Sequence, residues 1–144
     1  MKVKPNALFF GLVVILFGVF VVLGLSLIDG PTVVREKKLD EIRVKNFAYI
    51  SRQIIQYYRD NSNLPGSLTD IVPVNSNWFS IYDPETNNPY KYEIIDQLSF
   101  RLCGNFSRNR QLKGKNVIYY LPGERHMDWS HSAGLNCFVI PVKS

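Results

Sequence analysis

The stretch that decides the fold runs from residue 32 to residue 60 and reads TVVREKKLDEIRVKNFAYISRQIIQYYRD. Its apolar residues recur at steps of three and four or their sums, which predicts an amphipathic α-helix. The apolar stripe is formed by Leu39, Ile42, Phe47, Ile50, Ile54, Tyr57 and Tyr58. The opposite, polar face is formed by Glu36, Lys37, Lys38, Asp40, Glu41, Arg43, Lys45 and Arg52. Such a helix needs a second apolar layer against one face.

This helix is assigned to a segment spanning residues 29–62. It begins after Gly30-Pro31 and ends before a group of turn-forming residues at 60–66, DNSNLPG, where proline prevents continuation. At a rise of 1.5 Å per residue the helix would be about 43 Å long. That length exceeds a small domain, so we expect its first part to form a stalk.

Upstream of the helix, residues 7–28 read ALFFGLVVILFGVFVVLGLSLI and carry no charge. About 20 such residues cross the hydrocarbon layer of a bilayer as a helix. We therefore predict a transmembrane helix at 7–28, preceded by a short basic tail at 1–6. The alternative is a cleaved signal peptide, but its apolar region is normally about 7 to 15 residues long.

Downstream of the helix, the apolar period changes to two. Residues 90–94 and 98–103 alternate apolar and polar side chains, which predicts a β-hairpin. Residues 117–121 and 137–140 are predicted to be further short strands. The fold class is therefore α+β, in which residues 63–144 form a small antiparallel sheet that packs on the long helix. Trp78 and Phe79 are expected in the core.

The chain has two cysteines, Cys103 and Cys137, in this predicted β region. In a small exported domain such a pair indicates a disulfide, whereas in the cytosol two buried thiols or part of a metal site would be expected. Lys2 and Lys4 favour a cytoplasmic N-terminus, but the basic residues after the predicted span favour the opposite orientation. We take the disulfide to decide between them, which places the domain outside the cytoplasm.

The net charge of +5 is mild, but one stretch is locally basic. Residues 101–115 contain no acidic residue and five cations, which are Arg101, Arg108, Arg110, Lys113 and Lys115. The stretch could bind an anionic lipid or envelope polymer, or it could be a solvated loop between strands. Nucleic acid is not an expected partner, because no recognition motif is present.

The order of these parts resembles the pseudopilins of type II secretion. The resemblance depends on Tyr57, Tyr58, Asn61, Pro65, Leu68, Asp83, Pro84, Pro89, Tyr90 and Tyr92. It implies a pilin-like domain in which a tyrosine-rich helix end is followed by a proline loop and an Asp-Pro turn that leads into the sheet. The family's prepilin peptidase motif, glycine followed by Phe-Thr-Leu-Ile-Glu, does not occur in this sequence, and the turn at 83–90 lacks the family's glycine.

The resemblance and the residue patterns together predict a non-enzymatic, single-pass protein of the inner membrane. Its domain would be periplasmic or extracellular and would act as a structural or interaction module for other envelope or secretion proteins. The alternative is a minor pseudopilin or pilin subunit of a filament. No cofactor is expected, and Glu124 and Asp128 offer too few oxygens for calcium.

A metal-dependent envelope enzyme is a remote third possibility. His126 and His131 lie near Asp128 in the sequence, and Ser130 or Cys137 could complete a metal site or a nucleophilic pair. Their spacing fits no known motif, so no catalytic or metal-binding residues are assigned.

Overall fold

A computed structural model of the chain describes residues 5–26, 30–71, 79–111, 120–121 and 125–142. Its elements, in chain order, are α1 (Pro5–Ser26), α2 (Pro31–Asn61), a 3₁₀ turn (Leu68–Ile71), β1 (Lys91–Asp96), β2 (Ser99–Phe106), β3 (Tyr120–Leu121), β4 (Arg125–His126) and β5 (Gly134–Pro141). The chain forms two compact units, Met1–Val34 and Arg35–Ser144. The α+β class with a long helix and an antiparallel sheet is therefore confirmed.

The first unit contains α1, a helix of 22 residues without a charged side chain. Its large apolar side chains between Phe9 and Leu25 are 43% to 73% exposed. Within the part of the chain that the structure describes, no helix combines the length and the apolar character needed to span a bilayer. The transmembrane assignment of residues 7–28, of which 27 and 28 lie outside the described residues, stays a prediction.

The bounds of α2 agree with the predicted helix to within one residue at each end. Pro31 suits the first turn of a helix. A backbone N–H there has no acceptor within the helix, and proline has no backbone N–H. At the other end, the Asn61 side chain donates to the carbonyl of Tyr57 at 2.9 Å. Ser62 adopts a left-handed conformation with φ of 60°, and its N–H donates to the carbonyl of Tyr58 at 2.8 Å, as at many helix C-termini.

The apolar stripe of α2 is confirmed at its centre, since Phe47, Ile50 and Ile54 are fully buried. One part of the prediction is wrong. Asp40 and Arg43 were assigned to the polar face, yet each is only 2% exposed. Both lie on the buried stripe, because the steps 40, 43, 47, 50 and 54 are all three or four residues.

The main sheet has three antiparallel strands in the order β1-β2-β5. Side chains alternate between its two faces, and the buried face is formed by Phe100, Leu102 and Phe106 of β2 with Phe138 and Ile140 of β5. In the register of the sheet, Phe100 lies opposite Ile140 and Leu102 opposite Phe138. This face forms one hydrophobic core with the buried side chains of α2.

Phe47 is at the centre of this core. Its ring lies 4.8 Å from that of Tyr90, 5.8 Å from Phe138 and 6.2 Å from Trp129, measured between centroids. A Cβ at Gly104 would lie 2.8 Å from Cζ of Phe47. The absence of a side chain at this position of β2 is therefore what allows Phe47 to approach the strand so closely.

The predicted hairpin is confirmed as β1 and β2, although β2 continues to Phe106. The last strand is longer than predicted and includes Pro141. Of the strand predicted at 117–121, only Tyr120 and Leu121 are described, and they pair with β4 as a separate two-stranded sheet. The sequence predicted a single sheet of three or four strands; in the described residues the main sheet has three, and β3 pairs with β4 instead.

The predicted disulfide between Cys103 and Cys137 is present. The two residues lie directly opposite each other on β2 and β5. They alternate with Leu102 and Phe138 of the core face, so the bridge lies on the outer face of the sheet. The bridge therefore joins the hairpin to the last strand of the chain.

Trp78 lies outside the described residues, so its predicted place in the core is not addressed. Phe79 is half-buried and stacks on Tyr49, with 6.2 Å between ring centroids. The tryptophan of the described core is Trp129, which is fully buried.

We predict that Ile54→Ala lowers the free energy of unfolding by about 2–5 kcal/mol, because it removes buried methyl groups and leaves a cavity. Lys45→Ala on the exposed side of α2 is the control and should change it by less than about 0.5 kcal/mol. Denaturant unfolding of the full chain in nonionic micelles measures both. Equal, negligible effects would show that Ile54 is not part of a packed interface.

Candidate functional site

The most unusual feature of the domain is a buried ionic cluster, which we call the Arg43 cluster. It consists of Arg43 and three carboxylates, from Asp40, Asp83 and Glu85. Asp40 lies one helical turn before Arg43 on α2, so its position follows from the helix. Asp83 and Glu85 come from the loop before β1, about 40 residues further along the chain.

All five N–H groups of the Arg43 guanidinium donate hydrogen bonds. Nε and Nη2 donate to the two oxygens of Asp83 at 2.6 and 3.1 Å, a bidentate geometry that favours a strong interaction. Nη1 donates to Asp40 at 2.9 Å and to the hydroxyl oxygen of Ser107 at 3.2 Å. Nη2 also donates to Glu85 at 2.8 Å. One guanidinium thus joins α2, the loop before β1 and the segment after β2.

Asp40 makes a second connection to the segment after β2. Its Oδ1 accepts the backbone N–H of Ser107 at 2.9 Å, and its Oδ2 accepts that of Arg108 at 3.0 Å. Both carboxylate oxygens are therefore occupied. This arrangement stabilises a buried charge, because each oxygen has a hydrogen-bond donor.

Asp83 organises its own loop as well as binding Arg43. Its Oδ1 accepts the N–H groups of Glu85 and Thr86, each at 3.0 Å. Asn87 closes the turn by donating its N–H to the Asp83 carbonyl at 2.9 Å. Asn87 has a φ of 56°, a left-handed conformation that asparagine tolerates well, so this turn forms without the glycine of the pseudopilin pattern.

The pKa values of the cluster follow from its geometry. Burial acts to raise the pKa of Asp83, but the hydrogen bonds from Arg43 and from the N–H groups of Thr86 and Glu85 outweigh it and lower the pKa to about 2. Burial acts to lower the pKa of Arg43, and the hydrogen bonds to the three carboxylates raise it above its ordinary value. Arg43 and Asp83 therefore both stay ionised across the physiological pH range.

A second polar connection lies next to the Arg43 cluster on α2. The Asn46 side chain donates to the hydroxyl of Tyr90 at 3.1 Å and accepts the N–H of Ser80 at 3.2 Å. Burial raises the pKa of Tyr90 to about 12, so its hydroxyl stays protonated. Arg43 and Asn46 together hold residues 80–90 against α2.

The residues of the pseudopilin-like pattern have mostly structural roles. Asp83 is in the Arg43 cluster, Tyr90 and Leu68 are buried in the core, and the Tyr92 hydroxyl donates to the carbonyl of Pro65 at 3.0 Å. Of the other residues of the pattern, Pro65 is fully buried. Tyr57 and Tyr58 are half-buried, and Asn61, Pro84 and Pro89 are exposed.

The basic stretch at 101–115 does not form one patch in the part of it that is described. Arg101 pairs with Glu93 at 3.1 Å on the outer face of the sheet. Arg108 follows the other end of β2 and pairs with Glu36 of α2 at 3.1 Å. The eight residues of β2 span about 25 Å, so Arg101 is far from Arg108 and Arg110. Lys113 and Lys115 lie outside the described residues.

The histidine region offers no support for the metal-enzyme alternative. Cys137 is in the disulfide and cannot act as a thiolate ligand. His131 is buried, with Nδ1 2.9 Å from the carbonyl oxygen of Trp129 and its ring stacked on Phe106. The described residues contain no group of three His, Cys, Asp or Glu side chains that could hold a metal ion, and the His126 side chain lies outside them.

The Arg43 cluster and the central position of Trp129 were not predicted from the sequence. The signal for the cluster was present, because Asp40 and Arg43 continue the apolar stripe of α2 at its own spacing. A charged pair at core positions indicates a buried ion pair when a further charge can reach it, and the Asp83 turn supplies that charge.

The Asp83 pKa predicts a loss of stability in acid. Its folded-state pKa lies below the unfolded value near 3.9, so its stabilising contribution is present above pH 4 and is lost as the pH falls towards 2. The loss is expected to be of the order of 2 kcal/mol. Asp83→Asn should flatten this part of the profile of unfolding free energy against pH, and an unchanged slope would contradict the role assigned to Asp83.

Comparison with known proteins does not add a family to this description. No protein-family model, no curated protein and no solved structure was found to match the chain.

Proposed function

We propose that the protein is a single-pass membrane protein that holds a pilin-like α+β domain outside the cytoplasm as a non-enzymatic structural or interaction module. The observation that carries this proposal is α1. Its described residues from Phe9 to Leu25 are exposed on every face of the helix. An uncharged helix with apolar side chains exposed on every face is favoured by an apolar surrounding, and a lipid bilayer is the surrounding that we propose for it.

Two further observations support the module. The disulfide between Cys103 and Cys137 fits an oxidising compartment, where such bonds persist. The polar groups of the Arg43 cluster hold the loop before β1 against α2, so a structural role accounts for their presence in the core. A domain held together in this way is suited to presenting a surface to partners.

The topology is tested by labelling intact cells with a membrane-impermeant maleimide. With the native disulfide kept, Gln97→Cys in the exposed turn between β1 and β2 should be labelled without lysis. Lys2→Cys is the matched control and should react only after lysis. The reverse pattern would invert the proposed orientation, and labelling of both sites in intact cells would contradict a membrane-spanning anchor.

A filament subunit is the second candidate function. It is favoured by the pseudopilin-like pattern and by the first nine residues of α2, Pro31–Leu39, none of which is buried. In a filament this part of the helix would be covered by neighbouring subunits. Disulfide cross-linking between copies carrying Val34→Cys, in cells at native expression, would favour the filament if it gave ladders of multimers.

A further inference from the structure

A groove lies between the first half of α2 and the segment that follows β2. It has a volume of about 340 Å³ and is lined by Lys37, Asp40, Glu41, Arg108, Asn109 and Arg110. The groove combines one end of the basic stretch with one cation of α2, Lys37, which is distant from it in sequence. Neither the Arg43 cluster nor the proposed module function accounts for it.

The walls of the groove are fixed by hydrogen bonds. Arg108 is held to α2 through Glu36 and through the bond from its backbone N–H to Asp40. Arg110 exchanges two backbone hydrogen bonds with His131, at 2.8 and 2.9 Å. The Asn109 side-chain oxygen accepts the N–H of Ala133 at 2.6 Å. The segment is thus positioned before any ligand binds, which lowers the entropic cost of binding.

The lining of the groove carries more cations than carboxylates. Both oxygens of Asp40 accept hydrogen bonds from Arg43 and from backbone N–H groups. The Asn109 side-chain oxygen accepts the Ala133 N–H, so the remaining hydrogen-bonding group of this side chain is its NH2, which is a donor. The cations of the lining are Lys37, Arg110 and Arg108, the last of which is paired with Glu36. Its carboxylates are Asp40 and Glu41. Such a lining fits a small anion with several acceptor oxygens, as a phosphate group has.

Of the acidic side chains of the Arg43 cluster, Asp40 lines this groove, and hydrogen bonds from Arg43 and from backbone N–H groups occupy both of its oxygens. Asp83 lies along a different groove, beside Ile42 and Asn46 on the other flank of α2. Arg35, Glu36 and Lys38 lie in the same early turns of α2 as Lys37.

The position of the groove in the chain indicates where its anion comes from. Lys37 follows Ile28, the last residue of the predicted span, by nine residues, so an extended chain could separate them by at most about 32 Å. Cations just outside a membrane span oppose its insertion in this orientation. Their presence is explained if they contact the phosphate layer of the outer leaflet.

We propose that this groove binds the phosphate group of an anionic lipid headgroup, with Lys37 and Arg110 as its main contacts. The inference rests on the proposed membrane anchor and adds a ligand to it. Binding would attach the domain to the bilayer surface through this groove. Free inorganic phosphate has the same chemistry, so the test must separate the two sources.

The test is native mass spectrometry of the full chain released from nonionic micelles. Phosphatidylglycerol or phosphatidylcholine is added at equal concentration, and lipid-bound protein is counted. The variant Lys37→Gln/Arg110→Gln should weaken phosphatidylglycerol binding about thirtyfold, at about 1 kcal/mol for each cation. The matched control, Lys91→Gln/Arg101→Gln, removes the same charge from the outer face of the sheet and should bind like the unchanged protein.

Three results would overturn the proposal. One is equal binding of the two lipids, and another is unchanged phosphatidylglycerol binding by the groove variant. The third is inorganic phosphate that displaces the lipid at an equal molar concentration, which would make the site one for a free anion. Thermal unfolding of each variant checks that it is folded. Because binding in micelles does not depend on orientation, this result is independent of the labelling experiment.

Discussion

Replacing Arg43 by methionine should lower the free energy of unfolding by about 3–5 kcal/mol. Methionine keeps much of the side-chain volume, but it leaves Asp40 and Asp83 as buried carboxylates without their cation. Removing one partner of a buried ion pair is costly because the remaining charge stays desolvated. Since small domains are stable by only about 5–15 kcal/mol, a large part of the stability would be lost. Urea unfolding of the full chain in nonionic micelles, followed by tryptophan fluorescence, measures the change.

Arg101→Met is the matched control for this experiment. It removes the same type of side chain and also breaks an ion pair, but Arg101 and Glu93 are 40% and 36% exposed. Exposed pairs of this kind contribute about 0–1 kcal/mol. Equal effects of the two substitutions would contradict a special role for the Arg43 cluster. A second readout is hydrogen exchange at the N–H groups of Glu85 and Thr86, which should become faster only in Arg43→Met.

Removing the disulfide should produce the second large effect. The double variant Cys103→Ala/Cys137→Ala opens a loop closed across 34 residues of sequence. In the loop-entropy model, removing this constraint raises the entropy of the unfolded chain, which lowers the free energy of unfolding by about 3–4 kcal/mol. The melting temperature of the full chain should fall clearly, and reduction of the unchanged protein under native conditions should have a similar effect.

The disulfide also tests the proposed compartment. Protein taken from its native location and denatured without reductant should show no free thiols. Two reactive thiols would argue against an oxidising compartment and against a domain outside the cytoplasm. The double variant provides the matched background, because it has no thiol to react.

The local periods of the sequence determined the main elements of the fold. Steps of three and four predicted α2, and steps of two predicted β1 and β2, because these periods show which side chains share a face. Proline, asparagine and glycine marked the ends of α2. The pairing of Cys103 with Cys137 was also predictable, since the chain has no other cysteine.

The candidate site was less predictable, because it depends on residues that are distant in the sequence. From the sequence, Asp40 and Arg43 were assigned to the solvent-exposed face of the helix because they are charged. Their burial is possible only because the tertiary fold brings Asp83 and Glu85 into contact with Arg43. Likewise, the basic stretch was seen as one unit, but β2 separates Arg101 from Arg108. The separation follows from the length of β2, which a count of the cations in the sequence does not show.

The sequence by itself thus determined the class of fold, the long helix, the hairpin, the disulfide and the apolar segment at 7–28. The tertiary structure alone decided which charged residues are buried, that Trp129 packs against Phe47, and that Arg108 and Arg110 face α2 across a groove. The physical reason is the range of the interactions. Helix and strand periods act between neighbours in the chain, whereas the burial of a charge depends on partners that only the folded chain brings within hydrogen-bond distance.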